Sequence, residues 1–84
     1  KMNVLEEALQ TVEERGKSYG NAKPLFRQIA QLWTVWLGIG VSASDVAHMM
    51  ILMKQARDKM GNSQRDNKVD IAGYAAVLEM LEKK

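Results

Sequence analysis

The chain has 84 residues, 46% of them hydrophobic, no cysteine and a formal net charge of +2. This length holds one helical domain, residues 1–84, with no disulfide to reinforce a core of modest size. So small a charge argues against nucleic-acid binding driven by field alone, and the apolar run Met49-Met50-Ile51-Leu52-Met53 is far too short to cross a bilayer.

The first residues are amphipathic and carry Glu6, Glu7, Glu13 and Glu14. Signal and transit peptides lack such acids, so the expected location is the cytoplasm. Val4, Leu5, Ala8, Leu9 and Val12 recur at helical spacing and predict a first helix ended by Gly16. Lys17-Ser18-Tyr19-Gly20-Asn21 reads as a loop. Pro24 suits the first turn of a second helix, whose broad apolar face runs from Leu25 and Phe26 through Ile29, Leu32, Trp33 and Trp36 to Leu37. Gly38 and Gly40 stop it.

Ser42-Ala43-Ser44-Asp45 has the form of a capping box for a third helix that reaches about Met60, with Gly61 behind it. Asp66 or Asn67 is placed to cap a fourth helix, which runs to a frayed Lys83-Lys84 end. Short connections between helices predict an all-α fold, an antiparallel four-helix bundle. The third helix is apolar on every side at residues 49–53, and burying it fully asks for a second copy of the chain. The bundle is therefore expected to be completed by oligomerisation, as a homo-oligomer of two or more copies.

Asp70 is the most informative residue. It lies between Val69 and Ile71, with Gly73, Tyr74, Val77 and Leu81 on the next turns, so it should be partly buried. A buried carboxylate needs a partner, a hydrogen bond or a metal. Asp66 precedes it by one turn, and Tyr74 continues the row. Lys54 and Arg57 project from one face of the third helix and are natural partners. They form either an interhelical salt-bridge network or a site where cations hold phosphate. Arg15, Tyr19 and Gly20 make a second cluster: a cation at a helix end and an aromatic able to stack on a base. His48, with Asp45 one turn before it, has no serine or cysteine nearby to form a nucleophilic triad. Trp33 and Trp36 read as core or interface anchors.

Arg15-x-x-x-Tyr19-Gly20, Lys54-x-x-Arg57 and Asp66-Asn67-x-x-Asp70-x-x-Gly73-Tyr74-Ala75, in that order, resemble a family of small all-α phage and prophage proteins. The same pattern is similar to a nucleotide-modification-associated domain of phages. It is distantly similar to the all-α nucleoside triphosphate pyrophosphohydrolases of the MazG type. The resemblance implies a helical bundle, often dimeric, with a nucleotide or its phosphates between helices, in the host cytoplasm if a phage encodes it. Carried over, Lys54 and Arg57 contact phosphate, while Asp66 and Asp70 form the acidic side. Those hydrolases hold magnesium with a Glu-Glu-x-x-Glu cluster and further acids. The helix from Asp45 to Arg57 has no such triplet, and Glu6-Glu7 lacks the third acid.

Three functions remain in view. The first is a nucleotide-binding protein without catalysis or cofactor, which sequesters a phosphate-bearing (cyclic) nucleotide signal through Arg15, Tyr19, Lys54, Arg57, Asp66, Asp70 and Tyr74. The second is a hydrolase in which Asp66 and Asp70 hold Mg2+. The third is a helical protein-interaction module. The thin acid cluster sets binding ahead of hydrolysis.

Overall fold

The computed structural model describes residues 2–19, 21–61 and 64–83, the side chains of residues 18 and 19 excepted. Four helices follow one another: α1 (Val4–Tyr19), α2 (Ala22–Leu37), α3 (Ala43–Met60) and α4 (Arg65–Glu82). The all-α, bundle-like architecture expected from the sequence is the one observed, and the described residues contain no strand.

Each helix start has a local chemical cause. At α1 the Asn3 carbonyl oxygen of the side chain accepts from the Glu6 N–H at 2.9 Å, and Glu6 Oε1 accepts from the Asn3 N–H at 3.1 Å. This reciprocal cap satisfies two donors that would otherwise lack partners. Asn21 caps α2 by accepting from the Lys23 N–H at 2.9 Å, and Pro24 sits in the first turn as expected. The predicted capping box opens α3: Asp45 N–H donates to Ser42 Oγ at 3.0 Å, and Ser42 N–H donates to Asp45 Oδ2 at 2.9 Å.

Two boundaries differ from expectation. The first helix does not stop at Gly16 but continues to Tyr19, across residues read as loop. A glycine inside a helix costs only about 1 kcal/mol, and Lys17 in the last turn favours the negative helix end. Neither Asp66 nor Asn67 caps α4; Gln64 holds that position without a side-chain bond, and Asp66 falls in the first turn. Gly38 ends α2 as predicted, with φ at 73° and its N–H donating to the Thr34 carbonyl at 2.9 Å. The readings placed on Gly20 and on the frayed Lys84 lie outside the described residues.

The helices meet through small residues. Val46 and Ala47 are fully buried at the start of α3, packed with Phe26 and Ala30 of α2 and Val77 of α4. Two ion pairs, Lys54–Asp70 and Lys68–Asp58, both at 2.9 Å, show that α3 and α4 run antiparallel. By contrast α1 runs beside α4 in the same direction. Arg65 pairs with Glu7 and donates to the Met2 carbonyl, joining the two first turns, and further along a Cβ added at Gly73 would stand 3.7 Å from Val12 Cγ2. Lys23 Nζ donates to the Lys83 carbonyl at 3.2 Å, which fixes the start of α2 at the end of α4.

Among the described residues α1 packs broadly on α4 alone, whereas α2 lies on α3 and α4. The helices therefore splay. The radius of gyration is 13.4 Å, against roughly 12 Å for a compact chain of this length. Leu52, Met49 and Met53 of α3 are exposed in the single chain, and they belong to the apolar stretch whose burial was expected to need a second copy. A larger apolar surface is exposed on α2, where Trp36 is 88% accessible. No helix of the described residues is long and apolar enough to cross a membrane.

Candidate functional site

The splay leaves a cleft with room for about 590 Å³ of solvent, walled by all four helices. Its lining is mostly apolar: Val12 from α1, Phe26, Ile29 and Trp33 from α2, Met50 from α3 and Val77 from α4 are among the walls. Volume and lining are those of a small-molecule site, an apolar hollow with a few polar groups at defined places. The Phe26 and Tyr74 rings, with centroids 6.3 Å apart and planes tilted by 55°, brace the wall between α2 and α4.

Most of the polar groups in the wall are already engaged. Thr11 Oγ1 donates to the Glu7 carbonyl at 2.8 Å, and Asn21 Oδ1 is the cap of α2. Asp70 lines the cleft, and its Oδ2 lies 2.9 Å from Lys54 Nζ, with side chains 26% and 15% exposed respectively. The half-buried carboxylate expected at position 70 is observed, together with its partner. Arg15 also lines the cleft but makes no hydrogen bond or ion pair with a described residue, so its guanidinium donors remain available. The Tyr74 hydroxyl is likewise without a partner among the described residues.

The structure thus brings Arg15, Asp70 and Tyr74 together around one hollow, with Lys54 behind Asp70. Arg57 and Asp66 are exposed and do not line it. Residues three apart share a helix face only approximately, and the rotation of α3 that turns Lys54 inward leaves Arg57 facing solvent. The side chain of Tyr19 lies outside the described residues. The aromatic and aliphatic walls, Phe26, Ile29, Trp33 and Met50, were not singled out as site residues. Their helical spacing carries the same signal as a packed core.

A magnesium site was the alternative for Asp66 and Asp70. Asp70 Oδ2 faces an ammonium, and among the described residues no three His, Cys, Asp or Glu side chains converge where an ion would sit. The donor set does not fit a hard cation that requires near-octahedral oxygen ligation.

Asp45 is committed to the α3 cap, and the hydrogen bond from the Ser42 backbone N–H, then that with its side chain, holds its carboxyl below the ordinary value of 3.8, with a smaller pull from His48.

Comparison with known proteins places this arrangement in a family. The Gene 55 protein of Mycobacterium phage D29 is 42% identical over 80 residues, a stretch covering 94% of this chain and 53% of that protein. The Gene 55 protein of Mycobacterium phage L5 is 41% identical over 83 residues, with 96% and 53% covered. The chain therefore spans about half the length of the curated relatives it matches. No solved structure matches it. Residues 3–82 match a family described as a domain of unknown function, and on that match the chain belongs to the DUF6378 family.

Proposed function

We propose that the cleft binds a nucleotide carrying a phosphodiester charge, cyclic forms included, and that the protein holds this ligand without cleaving it. The observation that carries the reading is the pairing of a large apolar hollow with a cation at its wall, Arg15, that is uncommitted among the described residues. A base is planar and largely apolar on its faces, which suits walls built from Trp33 and Tyr74. An arginine fork suits two phosphate oxygens.

Charge selects among nucleotides. Lys54 is neutralised by Asp70, so among the described residues the cleft presents the Arg15 guanidinium beside a paired carboxylate. That balance accommodates the single negative charge of a phosphodiester. It disfavours a triphosphate, whose additional charges would face Asp70 without a counterion. Asp70 is placed to accept from a ribose hydroxyl, and the Tyr74 hydroxyl to donate to a base edge or phosphate. Arg57 and Asp66, outside the cleft, have no part in this scheme. The relatives named above are phage proteins, and withdrawing a nucleotide signal from a host is a task that binding alone accomplishes.

The test is thermal stabilisation of the chain by cyclic mono- and dinucleotides in the absence of magnesium, followed by recovery of the ligand. A concentration-dependent rise in melting temperature, abolished in Arg15→Ala, with intact nucleotide recovered, is expected. Magnesium-dependent release of pyrophosphate would overturn the reading in favour of hydrolysis.

A further inference from the structure

The strip Leu25, Ile29, Leu32, Trp36 and Ile39 alternates spacings of four and three along α2 and just beyond its end. This is the spacing of a seam along which one helix packs against another in a coiled-coil manner. The core side of α2 is already occupied, because Phe26 and Ala30 are buried against α3 and α4. The seam lies on the neighbouring side: Ile29 still packs against the core, whereas Leu32, Trp36 and Ile39 are 62%, 88% and 65% exposed.

We propose that the α2 seam is covered by the α2 of a second copy of this chain, forming a two-fold dimer. Self-association is indicated by charge. No charged residue occurs between Arg27 and Asp45, although charged residues make up 26% of the chain. A two-fold axis sets a surface against itself, so a strip with charges of one sign would repel its copy. This strip has none. The exposed seam residues Leu25, Leu32, Trp36 and Ile39 present on the order of 500–600 Å², which approaches the ~800 Å² that each partner contributes to a standard interface.

The dimer has a consequence for the cleft. Leu25 and Ile29 belong both to the seam and to the cleft wall, so a second α2 laid along the seam closes the cleft on its α2 side. The dimer itself does not depend on what the cleft binds.

The chain contains no cysteine, which makes the test direct. Leu32 is the middle of the strip, so it meets its own copy whether the two helices run parallel or antiparallel. Oxidised Leu32→Cys is expected to form a covalent dimer at micromolar protein, while Gln31→Cys, turned off the seam, does not. Sedimentation of the unmodified chain should give twice 9.5 kDa, and Leu32→Glu with Trp36→Glu should sediment as a helical monomer. If that double variant loses its helical signal, the cysteine pair decides. An unmodified chain that stays monomeric at high micromolar concentration, or equal crosslinking at positions 31 and 32, overturns the proposal. Nucleotide binding by a strictly monomeric chain would sink the dimer and leave the cleft reading intact.

Discussion

Lys54 Nζ on α3 lies 2.9 Å from Asp70 Oδ2 on α4, and of the two only the carboxylate reaches the cleft wall. The pair both sets the register of the two helices and decides how much positive charge a ligand meets. A half-buried ion pair of this kind stabilises little against an apolar substitute, but breaking it strands the remaining charge. Asp70→Ala should therefore destabilise the fold by about 1–2 kcal/mol, a fall of roughly 5–15 °C in melting temperature for a domain of this size. Lys54→Met combined with Asp70→Leu should recover most of that loss. A double-mutant cycle read by thermal unfolding measures it; additive losses would show that the two groups do not interact.

Two glycines should respond to alanine with opposite sign. Gly38 has φ at 73°, in the left-handed region where a Cβ is costly, so Gly38→Ala should destabilise by about 1–2 kcal/mol. Gly16 lies inside α1, and a Cβ there would meet nothing within 4 Å. Gly16→Ala should stabilise by about 0.5–1 kcal/mol through helix propensity. Chemical denaturation of the two variants checks both signs.

The α3 cap makes stability depend on pH in a defined window. The Asp45 carboxyl is held below its ordinary 3.8 in the folded chain, chiefly by hydrogen bonding to Ser42. A depressed folded value means the contribution is fully present above about pH 4 and is lost as pH falls through the folded value. Asp45→Asn should be less stable than the parent at pH 6, and the gap should narrow on acidification toward pH 3. Melting curves at both pH values report it. A gap that stays constant would show that Asp45 gains nothing from its charge. Ser42→Ala, which removes the other half of the cap, should cost about 1 kcal/mol at neutral pH.

Much of this architecture is legible in the sequence because its causes are local. Pro24, Gly38 and the Ser42–Asp45 box each act within one helical turn, and each is found where its chemistry predicts. Asp70 is legible for a related reason: its apolar neighbours on one helix face already imply partial burial, and a buried acid demands a cation. Gly16 misleads because its local preference is weak and the continuing helix outweighs it. The parallel run of α1 beside α4 brings together residues far apart in the chain, such as Arg65 and Glu7, which no local pattern encodes. The cleft is the least legible feature. It arises from the angles between helices, and its walls carry the same apolar spacing as a filled core.

Arg15 and Arg57 are both exposed arginines, but only Arg15 lines the cleft, which makes the pair a built-in control. The decisive measurement is calorimetric titration of a cyclic nucleotide into the unmodified chain, Arg15→Ala and Arg57→Ala, without magnesium. The cleft reading predicts saturable binding that weakens at least about tenfold in Arg15→Ala, a loss of roughly 1.4 kcal/mol or more, and is unchanged in Arg57→Ala. Equal weakening in both variants, or no heat of binding to the unmodified chain across the nucleotide series, would contradict it.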